Sequence, residues 1–101
     1  MKLCNELKLS GQIVKLYPIK VTPTGVSINS FVLEHISSQI EAGSSINIKC
    51  RMFCVWVNPL LEQVAECEIG KYAVITGFIS HNARLQIVLH IKNIVFLDKG
   101  N

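Results

Sequence analysis

Acidic side chains are scarce in this sequence. One aspartate, Asp98, stands three residues from the end, and the three histidines, His35, His81 and His90, fall in separate segments. No HExxH or HxH spacing occurs, and no GxSxG, GxGxxG or phosphate-loop pattern. The acid–base pairs, nucleophiles and ligand sets that catalysis needs have no visible source. The expectation is a protein that is not an enzyme, with no cofactor and no metal.

Long apolar runs are missing as well. The longest, Met52–Val57, has six residues, whereas a membrane-spanning helix needs roughly 20. Met1–Glu6 carries charge with no apolar stretch behind it, so no secretory signal is expected. These absences predict a soluble, cytoplasmic chain with no membrane partner. There is no CxxC among Cys4, Cys50, Cys54 and Cys67, and Cys50 and Cys54 fall in a strand-like run. In a reducing compartment that spacing predicts buried free thiols rather than disulfides or a zinc site. No repeat and no linker divides the chain, so one domain over residues 1–101 is expected.

What is present is apolar. Half of the 101 residues are hydrophobic, 17% are charged and mean hydropathy is +0.38, which excludes disorder. Ten Lys and Arg against seven Asp and Glu give +3 and a pI near 8.8. That excess suits a polyanionic partner.

Turn signals at Pro23-Thr24-Gly25, Glu41–Ser45, Asn58-Pro59, Glu68–Gly70 and His81–Arg84 separate five β-rich segments and one helical one. In the first, Leu7–Val21, alternation runs Leu7, Leu9, Gly11, Ile13, then slips parity to Val14 and Leu16, which reads as a bulge or bend. The second is Val26–Ser38. In the third, Ile46–Val57, Ile46, Ile48, Cys50, Met52, Cys54 and Trp56 share one face. Asn58 is the expected N-cap and Pro59 the first residue of a short amphipathic helix carrying Leu60, Leu61, Val64 and Cys67 and stopped near Gly70. Lys71–Ser80 and Leu85–Leu97 are the last two strands, with a parity slip near Asn93.

Three strands, a helix, then two strands is the order of an OB-fold, an all-β five-stranded Greek-key barrel with its helix between strands three and four. An SH3-type barrel is the runner-up, but it does not need the helix. Closure also removes the exposed edges that so apolar a sheet would otherwise present.

The third segment holds the candidate site. Opposite its apolar face stand Asn47, Lys49, Arg51, Phe53 and Val55, two cations and an aromatic in alternate positions. Single-strand binders combine cations along the phosphates with rings on which bases stack. Ordinary solvation of a half-exposed strand explains the same pattern. Trp56 falls on the core side and reads as a buried ring. Lys15, Lys20 and Arg84 extend the basic surface. Lys2, Lys8, Lys71 and Lys99 read as solubilising charge, and Thr22–Gly25 as a turn.

Leu9-Ser10-Gly11, Pro23-Thr24-Gly25, Phe31-Val32-Leu33-Glu34-His35, Gln39, Glu41-Ala42-Gly43, Cys50, Met52, Gly77–Ser80, Val88–His90 and Ile94–Asp98 together resemble the primosomal replication protein N (PriB) family, relatives of bacterial single-stranded DNA-binding protein. The resemblance implies a homodimeric OB-fold that binds single-stranded DNA without sequence preference. It also implies replication restart through the PriA helicase and DnaT. It places Lys15 and Lys20 on the family's basic DNA path and Thr22 on a family hydroxyl. Lys49 falls where well-studied members carry a stacking tryptophan, and Arg51 adds a cation beside it. The family's long lysine-rich arm between the last two strands shrinks to His81–Arg84, with Arg84 as its fixed cation. Weaker DNA binding is therefore expected, and a protein-interaction adaptor with little intrinsic DNA affinity is the alternative.

Overall fold

The computed structural model describes residues 1–97. Asp98 and Lys99, noted above, lie outside the described residues. Strands β1 (Leu7–Leu16), β2 (Lys20–Val21), β3 (Ser27–Glu41) and β4 (Ser44–Val57) precede helix α1 (Leu61–Glu66), and β5 (Tyr72–His81) and β6 (Ile87–Leu97) follow it. The sheet runs β1-β5-β6-β4-β3-β2, and an additional β1–β3 pairing closes it into a barrel. All neighbours are antiparallel except β4 and β6. This is the expected five-strand OB barrel, with β2 a two-residue extra strand on its edge and the helix between the third and fourth long strands.

Closure depends on β1. Leu7–Gln12 pairs with β5 and Gln12–Leu16 pairs with β3, so one strand serves both sides. The change of partner falls at Gln12, and at Gly11 just before it a Cβ would collide with the backbone oxygen of Glu34. The register then skips Val14 between Ile13 and Lys15, the bulge that the parity slip announced. The second slip is also a bulge: Thr76 faces Asn93 and Gly77 faces Ile91, leaving Lys92 unpaired.

Four boundaries differ from the sequence reading. The first segment breaks at Tyr17–Ile19, because Pro18 has no N–H to give a ladder. The β3–β4 hairpin is longer than expected, since Ala42 (φ 52°) and Gly43 (φ 79°) form a two-residue turn of the primed type that matches strand twist. Asn58 is not the helix cap. It has φ 48°, and it clamps the strand end: its N–H donates to Ser27 O at 2.8 Å, and the Ser27 N–H donates to its Oδ1 at 2.9 Å. Leu60 caps α1 without a side-chain bond. Leu85 is not in β6. It closes the turn with φ 61° and donates its N–H to Asn82 O at 2.9 Å.

The core is Ile13, Phe31, Leu33, Cys54, Trp56, Cys67, Ala73, Ile75, Leu89 and Ile94. Trp56 is buried beside Phe96 as expected, with ring centroids 6.5 Å apart. The thiols divide. Cys54 and Cys67 are buried, but Cys4 and Cys50 are exposed, against the expectation that all four would be interior. Cys50 is on the core side of β4, yet beyond Glu34 strand β3 has lost its β1 partner, so the hairpin leaves the barrel as a two-stranded ribbon. Parity there no longer implies burial.

Candidate nucleic-acid interface

Register sets the side of every candidate. Val32 pairs with Phe53, Glu34 with Arg51 and Ile36 with Lys49, while Lys15 faces Val32 and Lys20 faces Ile28. Phe31 and Leu33 point into the core, so these even-numbered positions of β3 and their partners face outward. Lys15, Lys20, Lys49, Arg51 and Phe53 therefore share one outer wall of the barrel and ribbon. Lys15, Lys20, Lys49 and Arg51 are exposed, and Phe53 is half-buried.

Phe53 is the centre of this wall. Tyr17 packs on it edge-on with centroids 5.5 Å apart, and Lys15 Nζ lies 4.9 Å from the Tyr17 centroid. Concavities open on both sides. Tyr17, Arg51, Met52, Gln86 and Ile87 line one with Phe53, and Val55, Ser80, Val88 and His90 line the other with the same ring. Beyond the second, Phe78 and His90 stack face to face at 4.7 Å and 4°. Ser80 Oγ and His90 Nε2 are hydrogen-bonded at 2.7 Å, which fixes the ring. The wall thus presents an aromatic series from Tyr17 through Phe53 to the His90–Phe78 pair.

Sequence reasoning missed Tyr17, Phe78 and His90. The solvent-side parity of Phe78 and Ser80 was a usable signal. Nothing in the sequence showed that a parallel β4–β6 pairing, Val55 opposite His90, would carry them next to Phe53.

Two candidates are engaged by the protein itself. Arg51 Nε donates to Glu34 Oε2 at 2.9 Å, with the guanidinium side chain 65% exposed. Glu34 is the more enclosed partner, with 14% of its side chain exposed, and the pair cancels part of the charge that Arg51 offers to a phosphate. Thr22 Oγ1 accepts the Val26 N–H at 3.0 Å and shares a hydrogen bond with Thr24 Oγ1 at 3.0 Å, so its hydroxyl holds the turn. Arg84 is exposed in a turn built by Asn82, whose Oδ1 accepts the N–H groups of Arg84 (2.9 Å) and Gln86 (3.1 Å). That turn borders the Phe53 concavities through Asn82 and Gln86.

His35 is separate from this wall. Its Nδ1 donates to Ser10 O at 2.7 Å, which ties the root of the ribbon to β1. Burial pushes the Cys54 thiol up to about 12 and the Cys67 thiol to about 11, so neither is a nucleophile at neutral pH. Among the described residues no group of three or more His, Cys, Asp or Glu side chains is placed to hold a metal ion. No helix among them is long and apolar enough to cross a membrane.

A small closed barrel with a basic, aromatic-lined wall defines a protein of the single-strand-binding class. Residues 5–93 match the model of a family described as another single-strand binding protein family. With Replication restart protein PriB of Yersinia pestis the chain shares 37% identity over 106 residues, covering all of both chains. It belongs to the PriB family. Solved structures agree on the fold. PriB from Ralstonia solanacearum superimposes with a TM-score of 0.82 at 19% identity, covering 95% of this chain and all of that one. A Plasmodium falciparum SSB complex with ssDNA gives 0.74 at 15%, covering 97% and 98%. A dimeric structure of the N-terminal domain of PriB from Thermoanaerobacter tencongensis gives 0.70 at 18%, covering 94% and 98%.

Proposed function

We propose that this chain binds single-stranded DNA without sequence preference, as one OB-fold domain over residues 1–101. It acts without catalysis in the cytoplasm, as a homodimeric component of the replication-restart primosome that bridges DNA, the PriA helicase and DnaT. The observation that carries DNA binding is the Phe53 wall. A ring flanked by Tyr17 and by concavities on both sides offers bases a stacking surface, and Lys15, Lys20, Lys49 and Arg84 offer phosphates their counter-charge. Arg51 joins them at the expense of its Glu34 partner, and Thr22 holds the turn that follows Lys20. Family membership supports the PriA and DnaT contacts. Exposed Ile36, Tyr72 and Leu97 around a concavity beside Gly11 support a second copy of the chain as partner.

Fluorescence anisotropy of labelled oligo-dT, titrated with protein at several salt concentrations, tests the reading. Saturable binding that weakens with salt is expected. Absence of binding at low salt would leave the second reading, an adaptor with little DNA affinity, which the Arg51–Glu34 pair and the short turn after β5 favour. Sedimentation equilibrium showing only the 11.3 kDa species at micromolar concentration would remove the dimer.

A further inference from the structure

Helix α1 is the least supported element of the fold. It has six residues, none of them buried, and its N-cap Leu60 makes no side-chain bond. Isolated helices shorter than about 12 residues are marginal in water, and packing of an apolar face normally stabilises them. Here only Val64 and Cys67 of that face turn inward, Val64 half-buried and Cys67 buried. Leu61 is 88% exposed, Leu60 60% and Ile69 64%. Anchoring comes from beyond the helix, through buried Cys67 and the Gly70 N–H donating to Ile13 O at 2.8 Å.

The charge around these side chains is of one sign. Glu62, Glu66 and Glu68 are exposed, and residues 57–70 contain no Lys or Arg. The stretch carries −3 in a chain of +3, so the rest of the molecule holds +6. Phosphate backbones and anionic bilayers are repelled by such a surface. The segment also begins at Val57, six residues along β4 from Arg51, or about 20 Å at the rise of a strand.

We propose that exposed Leu60, Leu61 and Ile69, in a stretch whose only charges are Glu62, Glu66 and Glu68, form a docking surface for a basic amphipathic segment of another protein. The partner supplies two or three large apolar side chains interleaved with Lys or Arg. Its apolar anchors cover the three exposed aliphatic groups, and its cations meet the three carboxylates. The inference does not depend on DNA binding, and it gives the molecule two faces of opposite charge.

The full chain, labelled with nitrogen-15, is titrated with a synthetic helical peptide carrying Leu on one face and Lys on the other. The same peptide with Glu in place of Lys is the control. The Lys peptide is expected to shift the amides of Leu60–Ile69, and the Glu peptide to leave them unmoved. Leu61→Ser and Glu66→Lys should each weaken the Lys peptide about tenfold, a single anchor's worth, with an unchanged thermal midpoint because both side chains are exposed. Oligo-dT should leave these amides unshifted, and if oligo-dT binds nowhere the peptide result still stands. The proposal is overturned if millimolar Lys peptide leaves α1 unmoved, if both peptides bind equally, if oligo-dT shifts α1, or if α1 shifts with protein concentration alone, which would assign the face to a second copy.

Discussion

Strands β3 and β4 belong to two regions that behave differently. In the barrel, Phe31 and Leu33 are fully buried opposite Cys54 and Met52, under β1 on one side and β6 on the other. A few residues further on, from His35 to Cys50, the same two strands pair, among the described residues, only with each other. Ile36 and Ile40 are there 66% and 74% exposed. The alternation of side chains is continuous through both regions. What changes is the number of neighbouring strands, and burial follows the neighbours.

The largest effect expected from this contrast is in stability. Phe31→Ala removes a fully buried ring and should cost about 3–5 kcal/mol, whereas Ile40→Ala should stay within about 0.5 kcal/mol. Urea midpoints of the two variants measure both. Equal losses would mean that the ribbon is covered in solution.

Gly77→Ala comes next. A Cβ there would meet the backbone oxygen of His90, across the ladder that holds the β6 bulge, and about 1–3 kcal/mol should be lost. Gly43→Ala, at a turn φ of 79° with open space around it, should cost about 1 kcal/mol or somewhat more from the left-handed conformation alone. The same denaturation series compares a clash in the barrel with strain at the tip.

DNA affinity sharpens the comparison in another way. Phe53 stands on the barrel wall and Lys49 on the ribbon. Phe53→Ala should cost about 1–3 kcal/mol of binding with little change in salt slope. Lys49→Ala should weaken binding at low salt and flatten the slope by about 0.7. Arg51→Ala should flatten it less than Lys49→Ala does, since Glu34 already holds the guanidinium. Oligo-dT titrations at several salt concentrations separate these outcomes. A normal Lys49→Ala slope would place the phosphates away from the ribbon.

Thiol chemistry gives the smallest and most direct reading. Cys4 and Cys50 should react with a thiol reagent in the native protein, and Cys54 and Cys67 only after denaturation, when four free thiols are counted. The buried pair has a pH consequence with a defined sign. Folding raises the thiols from 9.0 to about 12 and about 11. Their contribution is therefore complete below pH 9 and is lost as pH rises through 11–12, because the unfolded chain ionises first. Stability measured from pH 8 upward should fall across that window, and Cys54→Ala should fall less steeply.

Much of the barrel was legible in the chain. Alternation in β4 placed Cys54 and Trp56 inside and Lys49, Arg51 and Phe53 outside, and the parity slips marked both bulges. These are properties of a strand's own period, which is local. The errors came from positions where a local signal was used for a different purpose. Asn58 has the chemistry of a helix cap, but its backbone and amide serve the end of the β3–β4 pairing instead. Leu60 and Leu61 have the spacing of a packed helix face, yet among the described residues both stay exposed.

By itself, then, the sequence determined the succession of strands along the chain, the alternation of side chains within the barrel part of β4, the short helix and the basic, non-acidic character of the β4 outer face. Each follows from composition or from a period of two or 3.6 residues. The tertiary structure alone decided where β3 and β4 leave the barrel, that Glu34 holds Arg51, and that Tyr17, Phe53, His90 and Phe78 form one series. Those facts depend on which strands become neighbours. Closure by β1 and the parallel β4–β6 pairing bring together residues far apart in the chain, and no local pattern encodes that proximity.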